Sequence, residues 1–412
     1  MSESILALPV LPQWDCHGCG FCCREYRVHV SAEERQRIDA LDWSDLPSQP
    51  LFVRDGPWWS RRYRLNQQAD GSCVFLSPEG RCRIHERHGP AVKPLACRVY
   101  PFVLVPTGSQ WRVGLRYSCP SAADEQGRPL SVHADELTHY AHQLQEQNPD
   151  IDAPPLQGRQ RVAWADLLLF VAAIDGLLRQ SRLPLERRWR LILALASQCR
   201  RARFEKISGP RLRDFLELLT AAVPAEVPPW SLTVSTPTPL GRLLFRQLLA
   251  IYSRQDHGPD QGLAARGRLA LFHAALRFAR GRGPVPRLHA QLPDITFEHM
   301  EQPVEPWPVE VEQRLERYYR VKVQSLQFCG PIHYGWSFWD GLEALALTLP
   351  AIGWLSRAWP KVPRREAVTR ALRIVDNNFG FNPLLGGRRQ RLSLAILRYR
   401  DELTRLVGYY GR

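Results

Sequence analysis

From about residue 130 onward, apolar residues recur every three or four positions with arginines on the opposite side. That period is the mark of amphipathic helices. The stretches "VAWADLLLFVAAIDGLLRQ", "PLERRWRLILALASQCRRARF" and "GPRLRDFLELLTAAV" each show it, and two of them open near a proline, which suits a first helical turn. "LGRLLFRQLLAIYSRQ" and "QGLAARGRLALFHAALRFARG" follow a Pro-rich connection at 223–239, and a second Pro-rich segment spans 281–308. The remaining periodic stretches are "VEVEQRLERYYRVKVQSLQF", "SFWDGLEALALTLPAIGWLSRAW", "RREAVTRALRIVDNNFG" and "RQRLSLAILRYRDELTRLVGYY". The pattern predicts about eight helices and no internal repeat.

Before that point the pattern differs. Short strand-like runs such as "YRVHV" and "WRVGLRYS" alternate with Gly/Pro turns. One helical stretch, "SAEERQRIDAL", opens with Ser31 and Glu34 at capping-box spacing. The predicted fold class is therefore mainly α. A small Cys-rich α+β metal-binding domain (1–125) precedes an all-α helical domain (126–412), which is open to subdivision near 224–240 and 281–308.

Charge and hydropathy narrow the setting. Lys and Arg total 55 against 41 Asp and Glu, a net charge of +14. Such a balance admits nucleic acid, an anionic surface or an acidic partner. Only Lys93, Lys206, Lys322 and Lys361 are lysines, and the arginines are spread over many helices rather than one run. Nucleic-acid binding is therefore disfavoured. The opening "MSESILALPVLPQWDC" lacks the basic and apolar regions of a signal peptide, and no stretch is long and apolar enough for a membrane span. The cytoplasm is the expected compartment, where clustered thiols serve metals rather than disulfides.

Eight of the ten cysteines lie between Cys16 and Cys119. "CHGCGFCC" places Cys16, Cys19, Cys22 and Cys23 at C-x2-C-x2-C-C spacing. Thiolates two residues apart turn inward on one tight loop and share a metal. "CVFLSPEGRCRIHE", "KPLACRVYPF" and "YSCP" add Cys73, Cys82, Cys97 and Cys119 as further metal ligands. Adjacent side chains such as Cys22 and Cys23 diverge, so either one packs as a small hydrophobe or the two face two centres. The tight triple with remote cysteines favours an iron–sulfur cluster, [4Fe–4S] in type, over zinc. His85 in "CRIHE" is a candidate ligand or supporting group. Arg98, beside Cys97, either neutralises an anionic centre, holds an anionic ligand, or forms a surface ion pair.

These motifs, C-x2-C-x2-C-C, then the Cys73–Cys82 pair, then "CRVYPF", resemble the YkgJ-like CxxCxxCC zinc- or iron-chelating cysteine-cluster family over roughly residues 14–122. His85 stands where that family often has tyrosine. Longer members include flagellin lysine-N-methylases, and "CRVYPF" followed by "SCP" is similar to them. The resemblance implies methyl transfer from S-adenosylmethionine to lysines of a protein such as flagellin. The residues add no support of their own: neither a G-x-G-x-x-G turn nor the radical C-x3-C-x2-C spacing is present. The readings that stand are a metal-cluster protein, a lysine N-methylase, and a non-catalytic interaction module with a structural metal.

Other residues carry weaker signals. Tyr318, Tyr319, Phe328, Tyr334, Trp336, Phe338 and Trp339 read as an aromatic core between helices, or else a pocket wall. Glu316, Asp340 and Glu343 read as solvated helix charges rather than a buried acid near a substrate, Cys329 as a buried thiol rather than a late ligand, and His139 with His142 as a wet helix face rather than a metal-chelating pair. Asp376, Asn377 and Asn378 read as the end of a helix.

Overall fold

All eight strands among the described residues fall before residue 130, as three small sheets. β1 (Leu6–Ala7) runs parallel to β7 (Gln110–Leu115), which pairs antiparallel with β6 (Phe102–Thr107). β2 (Gln13–Trp14) pairs with β8 (Arg128–Pro129). β3 (His29–Val30) and β4 (Phe52–Arg54) flank β5 (Tyr63–Leu65). The computed structural model describes residues 6–9, 12–44, 46, 49–145, 151–231, 236–256, 261–302 and 305–412. Parts of three segments read above, 1–5, 232–235 and 303–304, lie outside the described residues.

Short helices punctuate these sheets: α1 (Phe21–Glu25), α2 (Ala32–Asp39), α3 (Arg83–His88), α4 (Leu95–Val99), α5 (Pro120–Ala123) and α6 (Ala134–Gln145). The capping box of α2 forms as its spacing requires, Ser31 Oγ accepting from Glu34 N at 3.1 Å and Glu34 Oε2 from Ser31 N at 2.9 Å. The second Glu34 oxygen accepts from Leu95 N at 2.7 Å, which ties α2 to the start of α4.

The rest is helical: α7 (Trp164–Leu178), α8 (Leu185–Arg201), α9 (Gly209–Glu226), α10 (Pro239–Tyr252), α11 (Arg268–Arg280), α12 (Phe297–Met300), α13 (Val309–Gln324), α14 (Phe338–Ser356), α15 (Arg364–Asn378), α16 (Arg388–Tyr399) and α17 (Glu402–Tyr410). The class is mainly α, as the periodicity predicts. The helices outnumber the expected eight, in part because the last stretch breaks at Asp401, whose φ of 56° departs from helix geometry. None of the described helices is long and apolar enough to cross a membrane.

Two apolar cores result among the described residues. The smaller gathers Ile38, Leu65, Val74, Phe75 and Ile84. The larger joins β6, β7 and α6 to the helices that follow. Six of the seven aromatics singled out above are buried in it and Tyr334 packs against it, as a core reading expects. Tyr318 also meets Tyr117 edge-on at 5.0 Å, so the same aromatics seat the hairpin. Glu316, Asp340 and Glu343 correct the expectation of solvated charges. Glu316 pairs with Arg188 at 2.7 Å, while Arg200 and Arg398 each contact both Asp340 and Glu343 at 2.8–2.9 Å. The facing arginines come from helices distant in sequence. His139 and His142 are exposed, and Cys329 is buried.

Candidate metal centre

The loop before α1 is built around Gly20, which adopts φ 66° at the helix N-cap. A Cβ there would stand 2.7 Å from Gly80 O, so only glycine allows the loop to lie against the 73–82 turn. The loop then enters α1, with Cys22 and Cys23 in its first turn. Helical geometry separates adjacent side chains by about 100°. The 73–82 turn reaches the same place: Cys73 N donates to Cys23 O at 2.7 Å, and a bridge pairs Leu76 with Cys82. Val74 and Phe75 between them anchor the turn in the small core.

Five of the thiols sit at or just inside helix starts. Cys22 and Cys23 lie in the first turn of α1, Cys82 at the N-cap of α3, Cys97 in α4, and Cys119 at the N-cap of α5. Free backbone N–H groups there bond to sulfur. Cys82 receives them from His85 and Ile84, and Cys119 from Ala122 and Ser121. Thiolate is the form such donors favour.

Cys22, Cys23, Cys73, Cys82 and Cys97 line one cavity of about 310 Å3, with Tyr26, Lys93, Tyr100 and Arg116 completing its wall. Cys23 hydrogen-bonds to both Cys22 and Cys82, and this holds its own thiol strongly protonated. The same bond lowers Cys22 to about 7, against burial and with help from the Lys93 ammonium. Cys82 falls to about 6 for the same first reason. Burial raises Cys73 to about 12 and Cys97 well above its usual value. Burial also opposes charge on Lys93, but the surrounding thiols, Cys97 first, outweigh it and raise its pKa.

A second cavity, about 490 Å3, lies on the outer side. Cys16, Cys19 and Cys119 line it together with Cys22, Cys23, Cys82 and Cys97, and His85 and Arg98 stand in its wall. The adjacent pair Cys22–Cys23 thus borders both spaces. Arg98 forms no ion pair with a carboxylate among the described residues; it meets Gln143 at 3.5 Å and the Tyr140 ring at 5.7 Å. His85 is exposed, and its N–H rather than its ring reaches Cys82. No group of three or more His, Cys, Asp or Glu among the described residues is gathered around one ion-sized point.

Lys93, Tyr26, Tyr100 and Arg116 stand in the wall of the inner cavity although cysteine spacing does not point to them. Lys93 and Tyr100 lie inside the quoted "KPLACRVYPF", where one of only four lysines is a signal that could have found the first. Nor does that spacing point to Asp376–Asn378. They do end α15, but the side chains of Asp376 and Asn377 clamp the thiol-rich region. Asp376 accepts from Ser118 N at 3.1 Å and pairs with Lys322 at 2.6 Å. Asn377 Oδ1 accepts from Tyr26 Oη at 2.8 Å and from Arg116 at 3.3 Å. Asn378 Nδ2 donates to Tyr252 O and Arg254 O at 2.9 and 3.0 Å.

Residues 15–123 match the family model CxxCxxCC, described as "Putative zinc- or iron-chelating domain". The thiol-rich region therefore carries the domain that its cysteine motifs resemble. No curated protein and no solved structure gave a significant match to the chain.

Proposed function

We propose that the thiol-lined cavities hold an iron–sulfur centre, with zinc as the competing metal. The observation that carries this reading is five thiols around one space of about 310 Å3. One zinc ion takes four ligands at about 2.3 Å. Five thiols around a space of this size suit a multi-atom cluster better. Cys22, Cys23, Cys73, Cys82 and Cys97 are the inner donors; Cys16, Cys19 and Cys119 supply the outer cavity, with His85 and Arg98 in support. Three features fit an anionic metal–thiolate centre: N–H groups aimed at sulfur, two thiols lowered to near neutrality, and a charged Lys93. When bound, such a cluster supplies electron transfer or Lewis acidity. Of the chain's own residues, Lys93 balances its negative charge.

Anaerobic purification followed by an absorption spectrum and iron, sulfide and zinc analysis tests this. Stoichiometric iron and sulfide with a visible chromophore are expected. A colourless protein with one zinc and no iron overturns the iron–sulfur reading. The enzymatic implication of the resemblance, S-adenosylmethionine-dependent methylation of flagellin lysines in the cytoplasm, has no separate support in the geometry. Label transfer from methyl-labelled S-adenosylmethionine to flagellin is the measurement that would establish it.

A further inference from the structure

Ala96, Tyr100 and Arg116 form a wall shared by the inner thiol cavity and a neighbouring space of about 480 Å3. That neighbour is framed by Phe102, Val105, Trp111, Leu144, Trp164 and Ile332, so its lining is overwhelmingly apolar. Ala96, Pro331 and Phe381, all exposed, border it and mark its opening. Its polar groups converge at one end. The Arg116 guanidinium lies 3.4 Å from the Phe381 ring centroid and 4.7 Å from that of Tyr26. One terminal nitrogen donates to Asn377, while Nε is buried without a hydrogen-bond partner. Tyr100 Oη is buried beside the Ser118 and Tyr26 hydroxyls.

The local charge does not balance. No carboxylate among the described residues pairs with Arg116. The nearby acid, Asp376, is engaged by Lys322 at 2.6 Å and by Ser118 N. Two cations therefore share one anion, and Arg116, stacked on Phe381 near the opening, is the one of them that borders the apolar space. A half-buried guanidinium with no counter-ion is costly, and an arriving anion relieves that cost. One guanidinium and one hydroxyl match a head group with a single negative charge, and the apolar walls match a hydrocarbon body.

We propose that this cavity binds an apolar-bodied monocarboxylate, its carboxylate on Arg116 and Tyr100 and its body between Val105, Leu144 and Trp164. The site adjoins the proposed metal centre without depending on it. The competing role for Arg116 is to balance the charge of that centre, and the experiment separates the two.

Calorimetric titration of the metal-loaded protein with dodecanoate and with dodecanol is the test. Dodecanoate is expected to bind once per chain and about tenfold or more tighter than dodecanol, since a hydrogen bond to a charged group is at stake. Arg116→Gln should remove that advantage, Tyr100→Phe should reduce it, and Val105→Trp should block both ligands, all with unchanged metal content. Equal binding of the two ligands, or no binding of dodecanoate, overturns the proposal. Loss of metal in Arg116→Gln together with full dodecanoate affinity in Tyr100→Phe also overturns it, and assigns Arg116 to the metal. If Arg116→Gln does not fold, the two ligands and Tyr100→Phe still decide.

Discussion

The small core of Ile38, Leu65, Val74, Phe75 and Ile84 is all the fully buried apolar packing that α2, α3 and the β3–β5–β4 sheet share. Helix α14, by contrast, buries every one of its residues except Asp340. Burial of apolar surface stabilises at roughly 25 cal/mol per Å2, so the helical region can stand on packing alone. The thiol-rich region has too little apolar area for that. It relies instead on the capped helix α2, N–H bonds to sulfur, and cysteines that meet across distant turns. Small domains of this kind need a staple, and a metal held by the cysteines is the one proposed.

Metal removal is expected to divide the two regions most sharply. Structural metal bound by thiolates contributes on the order of 10 kcal/mol. Stripping it with a chelator under reducing conditions should make amides between 16 and 99 exchange rapidly while those of α14 stay protected. Hydrogen-exchange mass spectrometry checks this, and equal protection before and after would mean that packing alone suffices in both regions.

The joint between the regions comes next. Asp376→Ala leaves the buried Lys322 ammonium without its counter-ion, with only Leu115 O and Gln327 Oε1 to accept from it, and frees Ser118 N. It should destabilise by about 3–5 kcal/mol and split denaturant unfolding into two transitions. Replacing both partners with apolar residues should recover much of the loss. A single unshifted transition in Asp376→Ala would show that the clamp carries no coupling.

Core truncations sharpen the contrast at similar cost but with different readouts. Phe75→Ala and Trp339→Ala should each lose about 3–5 kcal/mol. The first should also lower metal content after dialysis, while the second should leave it intact. If both lose metal equally, the two cores act as one.

Acid provides the mildest probe, and it acts on the helical side. His333 lies against Phe379, Trp336 and Tyr334, with Lys322 and Arg391 adding positive charge. Burial first, then those cations, lower its pKa from 6.5 to about 3. The unfolded chain takes up the proton first as pH falls. The stability is therefore complete above about pH 6.5 and is lost progressively toward pH 3. Between pH 6.5 and 5 the loss is at most about 2 kcal/mol. His333→Gln should flatten that slope in urea unfolding, and an unchanged slope would assign the acid sensitivity to another group.

Features legible in the chain were local ones. The Ser31–Glu34 capping box, the helices that open at Pro184 and Pro210, and the tight cysteine loop depend on residues a few positions apart. The domain match over 15–123 agrees with that reading of the cysteines. Partners distant in sequence leave no such local trace. Glu343 and Asp340 look solvated among their neighbours because their arginine partners, Arg200 and Arg398, lie on other helices. Asp376–Asn378 are legible as a helix end, which they are, but not what their side chains grip.

By itself the sequence determined the helical class, the concentration of eight cysteines before residue 120, and the loop that turns Cys16, Cys19 and the adjacent pair together. Periodicity, capping and ligand spacing are short-range properties, so they survive in the one-dimensional pattern. Only the tertiary structure decided that Cys23 meets Cys82, that Lys93 faces the thiols, and that an arginine without a counter-ion closes the apolar cavity beside them. Those outcomes depend on which distant segments pack against one another. Packing of that kind is set by the summed burial of the whole chain, not by any run of residues within it.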